Sequence, residues 1–499
     1  MYYLKIICIL SLLLYGSLYP SPAAGQPKYE VRATWLTTLG GLDWPSFKAT
    51  GPESITRQKK ELCDILDKLK AANFNTVLFQ TRIRGDVIYP SKIEVFTESL
   101  SGHEAQSPGY DPLKFAIEEC HKRGLEIHAW FVTVPIGNSR QVRLLGKNSV
   151  TRKHPDICVR FKDSWYLNPG NPATADYLAN IVHEIVANYD IDGIHFDYIR
   201  YPEQGENFPD QTSYRKYGNK QGIKEWRRNN ITNIVRRLYT ETKKLKPWVK
   251  VSSSPIGKYN DTRRYPSRGW NAYETVCQDA QAWLKEGIHD ALFPMMYFQG
   301  NSFYPFALDW QENKAGRWII PGLGIYFLHP KEQDWQLDEI VRQIYFIRNI
   351  KLDGQAYFRN KFLLDNTKGL LNQLNEQFYT TPAVVPPMTW IDSIAPSTPS
   401  EPHFQSLPRG VRLSWKASTD NLNTPVYYRI YASNKYPVNI EDPKNLIEIR
   451  TDRTDYTYSP ELPWEERIYW AVTAVDRCGN ESAPAAMNRP FLKESNLKN

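Results

Sequence analysis

Cysteine is scarce in this chain. The 499 residues hold six, and Cys8 falls in a leading apolar run, which leaves Cys63, Cys120, Cys158, Cys277 and Cys478. An odd number of widely spaced cysteines without a C-x-x-C pair argues against a disulfide framework or a zinc knuckle and leaves room for one incidental bridge. Cys63, Cys120 and Cys277 fall in helical patterns and read as small core residues. Charge of one sign is lacking too: 62 Lys and Arg face 54 Asp and Glu, a net +8 spread along the chain with no dense basic run. That distribution argues against nucleic-acid binding. No long apolar run follows the first two dozen residues, so no membrane span is expected. Several motifs are missing. Without G-x-S-x-G, the run Ser252-Ser253-Ser254-Pro255 has no nucleophile-elbow context, which disfavours a serine esterase. Neither H-E-x-x-H nor a first-strand H-x-H occurs. Gly40-Gly41 is not the glycine-rich phosphate turn that a doubly wound nucleotide fold requires.

What is present is ordinary globular composition, 41% hydrophobic and 23% charged, with many aromatics: 15 Trp, 31 Tyr and 20 Phe. Such a set serves a large core or a groove that stacks sugar rings. The N-terminus carries Lys5, the apolar stretch from Ile6 to Leu14, and a small-residue end with Ser21 and Ala23. This is the pattern of a cleavable signal peptide over residues 1–24. No Cys follows the apolar run, so no lipoprotein anchor is expected, and the mature protein is expected to be exported, periplasmic or extracellular.

From residue 31 onward, extended apolar runs alternate with helix-period runs. The extended runs cover 31–37, 76–82, 125–131, 193–198, 250–255, 291–297, 319–326 and 354–358. Helical periods lie near 54–72, 111–123, 173–188, 223–245, 273–286, 305–314, 337–350 and 368–378. Eight strand-then-helix units predict an α/β fold, a (β/α)8 TIM barrel over residues 27–380. A proline-rich stretch over 381–400 reads as an extended linker. Short alternating runs over 401–492 predict a small all-β, immunoglobulin-like sandwich, and 493–499 form a polar tail.

Barrel chemistry sits at the C-terminal strand ends. On the fourth run, His195 and Asp197 share one face, and Ile194, Phe196 and Tyr198 share the other. The apolar set suits the helix layer, so Asp197 is expected in the lumen near the mouth. A carboxylate there is costly unless it is paired or used; its structural role would be to cap the next loop or pair with Arg200. Glycoside hydrolysis takes two carboxyl groups. Asp197 is the first candidate, and Glu203 and Asp86 are candidates for the second. Asp43 in the first loop is another, and Glu94, Glu98 and Glu104 are weaker because so charged a loop is more often solvated. Trp35, Gln80, Arg82, His128, Trp130, His195, Tyr198, Tyr297 and Gln299 are expected to bind the sugar through stacking and hydroxyl contacts. A rival reading makes His128, His195, Asp197 and Asp86 ligands of a divalent metal in a hydrolase or sugar deacetylase. The favoured reading expects no cofactor and no metal.

The matching text is EVRATWLTT (30–38), NTVLFQTR (75–82) with Gly85-Asp86 and Tyr89-Pro90-Ser91, PGYDPL (108–113), CHKRGLEIHAW (120–130) and DGIHFDY (192–198). On these residues the chain resembles the glycosyl-hydrolase-like family ten barrels of bacterial envelope proteins, over about residues 29–379. The resemblance implies a glycosidase-type barrel and hydrolysis of a glycan. It also implies similarity to a cell-division glycosidase that cuts peptidoglycan strands stripped of their stem peptides, so the murein backbone is the implied substrate. The chain departs from many members at Tyr198, where they carry a second Asp. Residues 395–399, Trp415, Tyr469 and the tail 474–482 resemble a fibronectin type III module, which is not universal in the family and suggests a spacer or docking platform. A non-catalytic barrel that binds and tethers glycan is the alternative of a different class.

Overall fold

The computed structural model describes residues 26–202, 207–265, 269–408, 410–459 and 469–488. The expected signal peptide, Glu203 and the polar tail lie outside the described residues. Eight parallel strands form the barrel: β1 (Val31–Leu36), β2 (Thr76–Arg82), β3 (Glu126–Val132), β4 (Gly193–Asp197), β5 (Lys250–Ser253), β6 (Ala291–Leu292), β7 (Trp318–Leu323) and β8 (Gly354–Tyr357). β1 pairs with both β2 and β8. β7 is broken at Pro321, which has no N–H to give a ladder. Its first half pairs with β6 and its second with β8, and this closes the barrel.

The helices are α1 (Pro52–Ala71), α2 (Pro112–Lys122), α3 (Ala173–Asn188), α4 (Ile223–Leu245), α5 (Ala280–Lys285), α6 (Tyr304–Glu312), α7 (Leu337–Asn349) and the short α8 (Leu370–Gln373). Two of them begin at side-chain hydrogen bonds that the sequence supplies. Asp111 accepts from Lys114 N at 3.0 Å ahead of Pro112, and the Ser54 hydroxyl accepts from Gly51 N at 3.0 Å. Leu62, Leu66 and Leu69 bury one face of α1 at helical spacing. Of the cysteines assigned to helices, Cys277 instead sits outside them, in the stretch just before α5, with φ 64°. The five described cysteines are all unbridged.

Strand alternation splits the interior into two layers. Ile127, Ala129, Phe131, Ile194 and Phe196 face the helices. Val31, Ala33, Trp35, Leu78, Trp130, Phe293, Trp318 and Ile320 fill the lumen.

Seven strands build a sandwich after the barrel: β9 (Ser400–Ser406), β10 (Val411–Lys416), β11 (Tyr427–Ser433), β12 (Leu446–Thr451), β13 (Asp455–Tyr458), β14 (Tyr469–Val475) and β15 (Ala485–Asn488). One sheet runs β9-β10-β13 and the other β12-β11-β14-β15, all antiparallel.

The proline-rich stretch between them is extended but not free. Val384 N donates to Lys28 O at 2.8 Å, and Glu30 N donates to Val384 O at 3.1 Å. Val385 and Met388 enter the lumen cluster from below, together with Cys478 of the sandwich. Trp390 packs edge-on against Trp318 at 5.2 Å and donates its indole N–H to Asp290 at 2.9 Å. Charge closes the seam: Arg477 meets Asp190 at 2.8 Å, Arg450 meets Asp192 at 3.4 Å, and Lys28 meets Glu481 at 3.0 Å. The sandwich thus covers the N-terminal face of the barrel, opposite the mouth. No helix among the described residues is long and apolar enough to cross a membrane.

Candidate active site

The mouth opens into a cleft of about 850 Å³. Asp197 ends β4 on its floor and is 6% exposed. Three donors hold the carboxylate. Ser254 Oγ and Tyr198 N–H each reach Oδ1 at 2.8 Å, and Trp130 Nε1–H reaches Oδ2 at 3.1 Å. Burial nevertheless holds this carboxyl above the ordinary Asp range, against the pull of the Ser254 hydrogen bond, the Arg200 charge and the two N–H donors. Such a group can keep a proton for delivery closer to neutral pH than a surface Asp can.

Aromatics line the cleft: Trp35, Trp130, Trp165, Tyr198, Trp270, Tyr297, Tyr326 and Phe358 all face it. Tyr198 takes a left-handed backbone at φ 51°, which turns its ring outward beside Asp197, 40% exposed. Arg200 lies under this rim. Its guanidinium sits 4.8 Å from the Tyr198 ring and 5.2 Å from the Trp270 ring. Its Nε and Nη1 are buried without a hydrogen-bond partner. A small three-stranded flap, Pro135–Asn138, Cys158–Phe161 and Ser164–Leu167, brings Trp165 and Tyr166 to one wall.

Of the residues expected from sequence, Trp35, Gln80, Trp130, Asp197, Tyr198 and Tyr297 line this cleft. Gln80 does so while its side-chain Oε1 accepts from Thr38 N and Leu39 N at 3.0 Å, which fixes the loop after β1.

Five of the expected residues need correction. Arg82 turns away from the mouth, because β2 bulges between Gln80 and Arg82 and the alternation slips by one. It is fully buried in a two-pronged pair with Glu94 at 2.8 and 2.7 Å and donates to Thr133 O at 3.1 Å. Asp86 is buried behind the loop after β2, where Oδ1 accepts from Arg84 N at 2.8 Å. His195 and His128 point into the lumen as expected but lie beneath the cleft. His195 Nε2 accepts from Trp35 Nε1 at 3.3 Å, so its Nδ1 carries the proton toward Ser252 Oγ at 3.0 Å. Burial, with His128 and His289 nearby, holds its pKa well below the ordinary value and keeps it neutral. His128 meets Glu126 at 3.3 Å, in a layer floored by the Lys250–Glu126 pair at 2.9 Å. Gln299 is exposed on the loop after Tyr297 and does not line the cleft. His128, His195, Asp197 and Asp86 are therefore not assembled as one metal-ligating set.

Asp43 is engaged with Arg359, Thr37 N at 3.0 Å and Lys361 N at 3.1 Å, so it positions an arginine on the cleft rim. Among the described residues that line the cleft, Asp197 is the one carboxylate. Sequence reasoning missed Ser254, Trp270, Tyr326 and the flap, while Phe358, read at the end of the eighth strand, does reach the mouth. Ser254 had a usable signal, since it shares parity with Lys250 and Ser252 on the run it extends.

A family model described as "Glycosyl hydrolase-like 10" matches residues 30–331. The chain is similar to the glycosyl hydrolase YngK of Bacillus subtilis, 32% identical over 93% of this chain and 94% of that protein. It is also similar to the glycosyl hydrolase DigH of Escherichia coli K12, 34% identical over 56% of this chain and 68% of that protein. Among solved structures it is similar to the PgaB (BpsB) glycoside hydrolase domain of Bordetella bronchiseptica, 14% identical with a TM-score of 0.49, over 70% of this chain and 99% of that one.

Proposed function

Because the chain belongs to the glycosyl hydrolase-like 10 family, we propose that it is an exported glycoside hydrolase that cleaves peptide-free peptidoglycan strands. Asp197 is the general acid: its carboxyl, held above the ordinary range by burial at the floor of the cleft, protonates the glycosidic oxygen as the bond breaks. Glu203, one residue beyond the cleft-lining Pro202, is the second carboxyl group, acting as base or nucleophile. The aromatic walls hold the sugar rings by stacking.

The observation that carries the choice of substrate is Arg200. Arg200 is among the residues that line the cleft, and two of its guanidinium nitrogens, Nε and Nη1, are buried without a hydrogen-bond partner; an unpaired cation beside a cleft suits an anionic ligand. When the stem peptide is removed from a muramyl residue, a free lactyl carboxylate remains on the strand. A strand still carrying peptides presents an amide there, and a chitin-type strand presents nothing.

The test is reducing-end release from peptide-free strands, intact peptidoglycan and chitin oligosaccharides, by the wild type, Asp197→Asn, Glu203→Gln and Arg200→Gln. Activity on peptide-free strands that is lost in Asp197→Asn supports the assignment. A loss in Arg200→Gln confined to the carboxylate-bearing substrate supports the reading of that arginine. Release only from another glycan overturns the substrate. A second reading, a barrel that binds and tethers glycan without cutting it, draws on Asp197 being the single carboxylate among the described cleft-lining residues. Glycan binding without release from any substrate, with Glu203→Gln indistinguishable from wild type, would favour it. The sandwich is, on this proposal, a fibronectin type III-like module that supports the barrel from below.

A further inference from the structure

Away from the cleft, three aspartates from three separate segments converge. Asp392 comes from the stretch between barrel and sandwich, Asp420 from the loop between β10 and β11, and Asp476 from the turn after β14. Each offers a carboxylate oxygen within 4.8 Å of the other two. All three are buried, at 8%, 8% and 2% exposure. Among the described residues, none of them has a cationic partner within ion-pair distance. The nearest arginine in sequence, Arg477, is turned to Asp190 at 2.8 Å and Asp192 at 3.7 Å.

Three carboxylates so placed repel one another, and burying them without a counter-charge is costly. The hydrogen bonds leave two of the carboxylate oxygens without a partner. Asp392 Oδ1 accepts from Ile394 N at 3.1 Å and Asn421 Nδ2 at 3.3 Å, while its Oδ2 is buried with no partner. Asp420 Oδ2 accepts from Leu422 N at 3.1 Å, Thr424 N at 3.2 Å and Thr424 Oγ1 at 2.8 Å, while its Oδ1 is buried with no partner. Asn480 holds Asp476 from both sides, N to Oδ1 at 2.9 Å and Nδ2 to Oδ2 at 2.8 Å. In Asp392 and Asp420, one oxygen is clamped by donors and the other is left bare. Outer donors that fix a carboxylate while leaving one oxygen free are how proteins orient metal ligands.

We propose that Asp392, Asp420 and Asp476 bind one divalent cation, Ca²⁺ in the first instance, which ties the inter-lobe stretch to two loops of the sandwich. The donors are all hard oxygens, without His or Cys, which suits Ca²⁺ over zinc or copper. Three carboxylates supply part of the shell, and backbone carbonyls and water complete it.

The test uses the full chain, stripped with a chelator, dialysed, and checked for native circular dichroism. It is titrated with CaCl₂ by calorimetry, with MgCl₂ and MnCl₂ as parallel arms, and its Tm is measured with each salt. The expected result is one Ca²⁺ per chain with a Kd on the order of 10⁻⁴ M or tighter, and a Tm higher by at least ~2 °C at saturation. Asp392→Asn and Asp420→Asn, which keep side-chain shape, should each weaken Ca²⁺ binding by about tenfold or more and remove the Tm response. Saturation by Mg²⁺ or Mn²⁺ in place of Ca²⁺, lost in the same variants, keeps the site and corrects the ion. Folded wild type that binds none of the three ions overturns the proposal. So does Ca²⁺ binding that persists unchanged in both variants. Neither readout depends on glycan turnover, so this proposal and the assignment of the cleft fail separately.

Discussion

Ser254→Ala is the sharpest probe of Asp197. It removes the hydroxyl 2.8 Å from Oδ1 and leaves the donors from Tyr198 N and Trp130 Nε1 in place. Ser254 is 2% exposed and Asp197 6%, so bulk water cannot replace the lost donor freely. A hydrogen bond to a charged group contributes about 1.5–3 kcal/mol, and the neutral acid keeps part of it. A difference of about 1.4 kcal/mol between the two protonation states displaces a pKa by about one unit. The Ser254 bond favours the ionised form, so its loss raises a carboxyl that burial has already raised. If Asp197 delivers a proton in the step that limits turnover, activity falls as pH rises through its pKa. The alkaline limb of the pH–rate profile then moves up by about one unit in Ser254→Ala. Trp130→Phe, which keeps the ring and removes the N–H, should move it the same way. The assay is reducing-end release from peptide-free strands across pH 4–9, scored as kcat/KM. If the acidic limb moves instead, Asp197 works as the ionised base or nucleophile. An alkaline limb that stays in place in both variants refutes its role as the acid.

Arg82→Gln should cost about 3–5 kcal/mol of stability in urea unfolding, because it strands Glu94 in a buried site, and it should leave the oligosaccharide affinity of the folded fraction unchanged. Glu104 is pushed up from 4.5 to about 7 by burial, then by the charges of Asp86 and Glu98. A carboxyl raised in the folded state contributes stability that is full below its unfolded pKa and lost as pH rises through its folded one. Glu104→Gln should therefore flatten the stability profile between about pH 4.5 and 7, by ~1 kcal/mol after allowing for its partial exposure. Gly193→Ala would set a methyl 2.7 Å from the His128 ring and should destabilise the barrel by about 1–3 kcal/mol in thermal unfolding. Trp270→Ala should weaken oligosaccharide binding by about 1 kcal/mol, roughly fivefold in Kd, without lowering Tm, since the ring is exposed on the cleft rim.

The barrel was legible because its strands are buried on both faces and read as near-continuous apolar runs, with helical periods between them. Asp197 was legible because nothing interrupts the alternation from Gly193 onward. Two strands away the same argument failed at Arg82, since the bulge after Gln80 has no glycine to announce it. Asp86 and Gln299 were read by closeness to strand ends, which says nothing about where a loop turns next. His128 and His195 had the right face but the wrong depth, because position along a tilted strand is set by its stagger against neighbours. The prolines of 381–400 told of an extended backbone but not that Val385 and Met388 would enter the barrel floor. The convergence of Asp392, Asp420 and Asp476 depends on how that stretch crosses the sandwich, and sequence spacing holds no trace of it.

The apolar cluster that starts at Trp35 under the cleft runs through Trp318 to Val385, Met388 and Cys478. The barrel's interior therefore continues through the connecting stretch to the edge of the sandwich, which keeps a core of its own around Leu413, Trp415 and Trp470. Modules joined by a free linker tumble separately and unfold in separate steps. Here heat or denaturant should unfold both lobes in a single cooperative transition. A chain cut at residue 380 would not be a trimmed enzyme. It would uncover the floor of its own lumen, an apolar patch of the kind that drives self-association.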